Sequence, residues 1–191
     1  MKKTMLGTLL FAMAMVSLPA RAADYVIDTK GAHAFIQFKI NHLGFSWLVG
    51  RFNKFDGEFS FDAKNPKASK INVNIDPASV DSNHAERDKH LRSKDFLDVD
   101  KFPTAKFVST SYTPKGKNKG VLKGKLTLHG VTKAISINIK HIGEGKDPWG
   151  GYRAGFEGSV KLKLADYGIN YNLGPASRSV EMFLSVEGIK K

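Results

Sequence analysis

Histidines and carboxylates gathered between residues 82 and 95 are the first candidates for chemistry in this 191-residue chain. If that stretch is helical, His84 and His90 lie about 240° apart around the axis, so they cannot bind one metal ion from a shared face. Each has one carboxylate a turn away, Asp88 and Glu86 respectively. That gives two ligands where a zinc site needs three or four. We therefore interpret these residues as solvated ion pairs along a helix.

The sequence also lacks the common signatures of hydrolytic and nucleotide-dependent enzymes. It contains no G-x-S-x-G, H-E-x-x-H or phosphate-binding-loop pattern. Serine, histidine and aspartate are available, but no spacing places a nucleophile beside a base. The absence of cysteine excludes disulfides and thiolate metal sites.

His42 offers a different chemistry, because it continues an apolar face. Phe38 and Ile40 lie on that face, and His42 follows them in phase, directly before the aromatic segment 43–47. An imidazole at the end of an apolar lining can form a hydrogen bond with the head group of a ligand. The alternative is that the ring satisfies a carbonyl of its own loop.

Apolar and polar residues alternate with a period of two through most of the chain after residue 23. One apolar and one polar face per strand favours an antiparallel sheet over a parallel one flanked by helices. Turn signals divide the pattern into about eight substantial strands and a short first one near Tyr25–Ile27. The apolar phase slips between Trp47 and Phe55, which predicts a bulge or coil there.

Strands of this number and kind bury their apolar faces in a sandwich or in a closed barrel, and periodicity does not distinguish the two. An eight-stranded barrel is either filled by side chains or holds one small ligand. A closed barrel would bring apolar residues of different strands around one cavity, namely Phe38, Ile40, Leu126, Ile137 and Phe156. Aromatic residues also build ordinary cores, so a filled barrel stays an alternative.

Residues 84–107 combine H-A-E-R-D-x-H-L-R with S-x-D-F-L and K-F-P-x-A-x-F. The pattern predicts a helix over roughly 84–93, with Asn83 as N-cap and Glu86 completing a capping box. This block, together with N-H-L-G-F-S-W-L-x-G at residues 41–50, resembles the YceI-like family. Its members are periplasmic proteins whose lipocalin-like barrel binds polyisoprenoid lipids.

The resemblance, which extends from about residue 24 to the C-terminus, implies an all-β fold with one or two short helices. The fold would be an extended, antiparallel, up-and-down barrel of about eight strands. By resemblance, Trp47 lies in a segment that lines the barrel near one opening, and Arg87 and His90 are candidates for head-group contacts. Surface salt bridges are the alternative for those two residues. Phe102, an aromatic of the same block, is a further candidate for the lining.

The N-terminus predicts export. Lys2 and Lys3 precede an apolar run, and Ala20-Arg21-Ala22 forms an A-x-A cleavage site. The run is shorter than the roughly 20 residues of a membrane span. We therefore expect a signal peptide over 1–22 and a periplasmic, YceI-like lipid-binding domain over 23–191 that does not span the membrane. Removing Lys2, Lys3 and Arg21 lowers the formal net charge from +12 to +9.

Together these patterns predict a periplasmic carrier that holds a ubiquinone-like or polyprenyl-like lipid in an apolar tunnel and requires no cofactor. Export argues against nucleic acid as the partner, whereas transient contact with an anionic membrane suits the basic charge. The resemblance implies a homodimer. The alternatives are a stress-related structural or interaction protein with a filled barrel, and an enzyme that acts on an isoprenoid or a quinone.

Overall fold

The computed structural model of the protein describes residues 22–191, so the predicted signal peptide lies outside the described residues except for Ala22. The described chain forms a single antiparallel sheet and one α-helix, α1 (Ala85–Arg92). The strands are β1 (Ala23–Ile27), β2 (Phe35–His42), β3 (Ser46–Phe52), β4 (Phe55–Phe61), β5 (Lys70–Ile75), β6 (Val80–Asp81), β7 (Ala105–Pro114), β8 (Lys119–Leu128), β9 (Val131–Lys146), β10 (Tyr152–Lys163) and β11 (Ser179–Lys190). Short 3-10 turns span Pro66–Ala68, Pro77–Ser79, Leu164–Tyr167 and Pro175–Ser177.

The eleven strand segments form eight barrel strands, because three of the eight are interrupted. β1 and β2 both pair with β11, one after the other, and together form one barrel strand. β4 pairs with β1 and β3 pairs with β2, so β3 and β4 form the next barrel strand. β5 pairs with β4, and β6 pairs with β3. The sheet then passes through β7, β8, β9 and β10 back to β11, always between antiparallel neighbours. The predicted lipocalin-like, up-and-down barrel is confirmed.

The barrel has two ends, which we name by what closes them. The helix end carries α1 and the loops of residues 43–45, 82–104, 129–130 and 164–178. The hairpin end carries the connections of residues 62–69, 115–118 and 147–151, together with the C-terminal Lys191. Each end therefore gathers segments that are far apart in the sequence.

One interruption lies where the apolar phase slips between Trp47 and Phe55. β3 ends and β4 begins on either side of Asn53 and Lys54. The backbone N–H of Asn53 donates to the carbonyl of Ser79 at 3.1 Å, and that of Lys54 donates to the Ser79 hydroxyl at 2.9 Å. The neighbouring 3-10 turn thus satisfies the backbone groups that the break in the strand leaves free.

Two hydrophobic clusters pack inside the barrel. The cluster towards the helix end includes Phe38, Phe96 and Tyr167. In the cluster towards the hairpin end, Tyr25 stacks on Phe59 with ring centroids 4.8 Å apart. Each large apolar side chain buried in this way stabilises the fold by about 1.5–3 kcal/mol.

The start of α1 differs from the prediction. Asn83, expected as N-cap, has a left-handed φ of 62°, and its N–H donates to the Asp81 carboxylate at 2.9 Å. His84 is the N-cap instead, because its Nδ1 accepts a hydrogen bond from the Arg87 N–H at 3.2 Å. The capping box of Asn83 and Glu86 is therefore wrong. No helix among residues 22–191 has the length and apolar character to cross a bilayer.

Candidate functional site

An apolar cavity occupies the interior of the barrel. Its wall includes members of both core clusters, and its volume is about 150 Å³. All eight barrel strands contribute to the wall, for example through Ile36, Phe59, Val73, Phe107, Leu126, Ile137, Phe156 and Leu184. The alternation seen in the sequence therefore produces a continuous hydrocarbon lining rather than separate patches.

The surface of this cavity is apolar throughout. A water molecule would find no hydrogen-bond partners there, and apolar cavities of about this volume stay dry and accept apolar guests. Burial raises the pKa of Tyr112, the one tyrosine on the wall, so its hydroxyl is neutral at pH 7. The cavity is thus chemically suited to a hydrocarbon chain.

Three of the predicted lining residues lie on this wall, and two do not. Leu126, Ile137 and Phe156 line the cavity. Phe38 and Ile40 are not on the wall, although they share the core cluster towards the helix end with Leu126 and Ile137. The Phe38 ring lies close over Gly50, where an added Cβ would come within 2.3 Å of it.

A histidine ring, that of His141, lies directly behind the cavity wall, and the sequence interpretation passed over it. Its ring lies against those of Phe156 and Phe61, with centroid distances of 4.9 and 5.0 Å. His141 Nε2 is buried and has no hydrogen-bond partner among the described residues. The signal was present in the sequence, because His141 continues the odd-numbered apolar face of Ile135, Ile137 and Ile139.

The prediction that Trp47 lines the barrel is wrong. Leu48 and Phe52 turn inwards from β3, so Trp47 turns outwards and is 54% exposed. The Lys39 ammonium lies over its indole, 4.6 Å from the ring centroid. His42 is also exposed, and its backbone carbonyl, not its ring, accepts the hydrogen bond from the Phe45 N–H.

Arg87 and His90 bind other parts of the helix end rather than the cavity. The Arg87 Nε donates to the Ser82 hydroxyl at 2.7 Å, which ties α1 to the end of β6. His90 bonds to Asp95 at 3.2 Å, and its ring meets Phe96 edge-on at 4.9 Å. Neither residue lies on the cavity wall; His90 forms the surface salt bridge of the alternative interpretation, with Asp95, whereas Arg87 bonds to Ser82.

Phe102 likewise closes the helix end. Its ring packs against His129 with centroids 4.6 Å apart. A Cβ at Gly130, whose φ is 72°, would lie 2.4 Å from the same ring. Phe102 therefore holds the β8–β9 turn in place and is not part of the cavity wall.

Residues 25–188 match the family model described as the YceI-like domain. This chain belongs to the YceI-like family. A UPF0312 protein of Ectopseudomonas mendocina (strain ymp) is 58% identical over 191 residues, which cover all of both chains.

Solved structures of the YceI-like type share the barrel. The crystal structure of the Campylobacter jejuni YceI protein is 30% identical, with a TM-score of 0.71 over 80% of this chain and 91% of that chain. A polyisoprenoid-binding domain from Saccharophagus degradans is 16% identical, with a TM-score of 0.64 over 90% of this chain and 100% of that chain. At that identity the likeness shows the fold alone.

The YceI-like barrel also carries an ionic cluster that sequence reasoning missed. Asp28, His33 and Glu187 bring three metal-binding atoms within 4.8 Å of one another. Arg153 lies among them and donates to Asp28 Oδ2 at 2.7 Å and to Glu187 Oε1. Hydrogen bonds from His33 and Arg153 lower the pKa of Asp28 to about 2. The carboxylates of Asp28 and Glu187 are already paired with the Arg153 guanidinium. We therefore interpret the cluster as ion pairs that hold the loop between β1 and β2 against the barrel.

Proposed function

We propose that this protein is a periplasmic carrier that binds an isoprenoid lipid, with the apolar tail inside the barrel cavity. The observation that carries the proposal is the apolar cavity to which all eight barrel strands contribute. Each buried CH₂ of a tail contributes about 0.8 kcal/mol, so hydrocarbon alone can supply most of the affinity. The polyisoprenoid-binding domain of Saccharophagus degradans, which has the same fold, supports this class of ligand.

The head group belongs, in this proposal, near His141 rather than near His42, Arg87 or His90. A quinone oxygen or a phosphate can accept a hydrogen bond from an imidazole N–H. His141 Nε2 is buried beside the wall residues Phe61 and Phe156 and lacks a partner within residues 22–191. A ligand oxygen would satisfy it.

The volume of the cavity bears on the length of the tail. About 150 Å³ corresponds to roughly ten water-sized spheres, which is small for a ligand pocket. A long ubiquinone-like or polyprenyl-like tail therefore requires the wall to widen. Met182 lies on that wall, and its unbranched side chain adapts to gaps of irregular shape.

The test is to extract the purified protein with organic solvent and identify the lipid by mass spectrometry. Ile137→Trp places an indole in the cavity, whereas Phe38→Trp, its matched control, enlarges a buried residue of the same cluster that is not on the cavity wall. We expect Ile137→Trp to fold normally and to come out without lipid. Phe38→Trp should lose about 1–3 kcal/mol of stability from overpacking and keep its lipid.

The small volume specifically favours one competing function, a structural or interaction protein with a filled barrel. In that case the parent protein yields no lipid, and Ile137→Trp loses as much stability as Phe38→Trp. An enzyme acting on the lipid would instead convert the extracted species on incubation. Recovery of an unchanged isoprenoid from the parent and not from Ile137→Trp supports the carrier.

A further inference from the structure

The barrel sheet has a gap between β5 and β7 at the hairpin end. Backbone pairing of these strands stops at Asn72 opposite Val108, although β7 continues to Pro114. At the next position the Ile71 N–H donates to the side-chain hydroxyl of Ser109, at 2.9 Å, instead of to a backbone carbonyl. Beyond that point β7 pairs with β8 alone.

This gap adjoins the apolar cavity. Two residues beside the gap lie on the cavity wall. They are Ser69, directly before β5, and Tyr112, in the part of β7 that does not pair with β5. The 3-10 turn Pro66–Ala68 lies against β7 here. Past the last backbone pair, the Ile71–Ser109 hydrogen bond and the short 3-10 turn are therefore what join the two sides of the gap.

Lysines flank the gap on both sides. The β4–β5 connection carries Lys64 and Lys67, with Asp62 as its one acidic residue, and Lys70 follows as the first residue of β5. The β7–β8 hairpin carries lysines at positions 115, 117 and 119 and no acidic residue. All six side chains are exposed, and none of them forms a salt bridge with a described residue.

The opposite end of the barrel does not share this charge. Residues 82–104, which include α1, contain five acidic and five basic residues. The net positive charge is thus greater at the hairpin end, beside the gap, than at the helix end. Exposed charges of one sign on one face create a potential that attracts a surface of opposite sign.

We propose that the gap between β5 and β7 is a portal for the lipid tail, and that the six lysines beside it dock the hairpin end onto an anionic phospholipid membrane. The portal rests on the proposed lipid-binding function, whereas the docking stands on the charges alone. Docking would bring the gap in the barrel wall to the bilayer surface, so a tail would pass from the membrane to the cavity without crossing water.

An anionic membrane fits this face better than a nucleic acid does. The lysines surround the side of a hydrocarbon cavity, and the exposed Trp149 lies at the same end of the barrel, 77% accessible to solvent. Indole rings favour the boundary between lipid head groups and acyl chains. Nucleic-acid binding would use the lysines but would leave the cavity and its gap without a role.

The test is sedimentation of the exported protein, its N-terminus confirmed by mass, with vesicles of phosphatidylethanolamine and phosphatidylglycerol at 3:1. The hairpin-end variant is Lys115→Glu/Lys117→Glu/Lys119→Glu. The control variant, with the same change in net charge at the helix end, is Lys89→Glu/Lys94→Glu/Lys163→Glu. We expect affinity to fall about a hundredfold or more for the hairpin-end variant and less than about tenfold for the control.

Parent binding should weaken with rising salt and be absent on phosphatidylcholine vesicles. Equal losses in the two variants, or tighter binding of the parent to a DNA duplex than to the anionic vesicles, overturn the proposal. So does a loss of vesicle binding in Phe45→Ser with none in the hairpin-end variant, since Phe45 is the most exposed aromatic of the helix end. Lipid content measured on the same samples separates the two proposals, because a protein that docks without holding lipid refutes only the carrier function and its portal.

Discussion

His141 and Phe156 lie opposite each other on β9 and β10, with their ring centroids 4.9 Å apart. The Nε2 atom of His141 is buried there without a hydrogen-bond partner among residues 22–191. An unsatisfied buried polar group costs roughly 1–3 kcal/mol. The ligand-free barrel therefore retains a group that reduces its stability, and a bound head group would remove that cost.

We predict that His141→Phe raises the free energy of unfolding of the delipidated protein by about 1 kcal/mol, because it removes the unpaired nitrogen and keeps the ring. The same variant should retain less lipid than the parent. Urea unfolding and extraction with mass spectrometry measure the two effects.

His129→Phe is the matched control for this substitution. His129 also has an unpartnered Nε2 within the described chain, but its Nδ1 bonds to the Tyr167 carbonyl at 2.9 Å. Because His129→Phe removes this hydrogen bond, it should destabilise the protein by about 1 kcal/mol. Destabilisation of both variants alike would show that His141 has a hydrogen bond of its own in the free protein.

Local pattern was enough to predict the barrel strands and the apolar face to which His141 belongs. The alternation of Ile135, Ile137 and Ile139 reaches His141 without a change of phase. The sequence pattern did not identify Phe156 as the residue that His141 contacts. Phe156 lies beside His141 because of the β9–β10 pairing and the register shift in it. A side chain whose partner lies on another strand has no local signature.

Two other differences have separate origins, one local and one long-range. Trp47 was assigned to the lining because its whole segment matched the family pattern, yet a strand directs alternate residues to opposite faces, and Trp47 takes the outer one. The contacts of Asp28 with Arg153 and Glu187 join residues more than a hundred positions apart in the chain. Only closure of the barrel brings them together.

Export remains a prediction from the N-terminal sequence. Cleavage after Ala22 would leave β1 whole, because β1 begins at Ala23, which lies opposite Phe61 of β4. We expect the protein recovered from the cell envelope to begin at Ala23, as measured by N-terminal sequencing and intact mass. Recovery of a chain that still begins at Met1 in the cytoplasm would contradict the periplasmic assignment.

The corrected start of α1 predicts opposite behaviour at two neighbouring positions. His84→Ala removes the side-chain cap and should cost about 0.5–2 kcal/mol of stability. Asn83→Gly should cost little, because glycine adopts the left-handed φ of Asn83 without strain. Asn83→Ala should cost about 1–2 kcal/mol for the same conformation. Chemical denaturation of the three variants measures these differences, and a large loss in Asn83→Gly would restore Asn83 as the cap.

Stability should fall in acid through the carboxylate of Asp28. Hydrogen bonds from His33 and Arg153 hold its pKa at about 2, below the ordinary value of 3.8, so the folded protein binds this proton more weakly than the unfolded chain does. The stabilisation is therefore complete above pH 3.8 and is lost as the pH falls towards 2.

Asp28→Asn tests this assignment. The variant should unfold at lower urea than the parent at pH 7, since the Arg153 guanidinium loses a carboxylate partner at 2.7 Å. Between pH 4 and pH 2 its urea midpoint should decline less steeply than that of the parent, because the titrating group is gone. Asp100→Asn, a change at an exposed carboxylate of the helix end, should follow the parent at every pH. If the curves of Asp28→Asn and the parent run parallel down to pH 2, the acid sensitivity of the barrel lies in other carboxylates, and the ion pairs of Arg153 contribute little to holding β1 and β2 against β11.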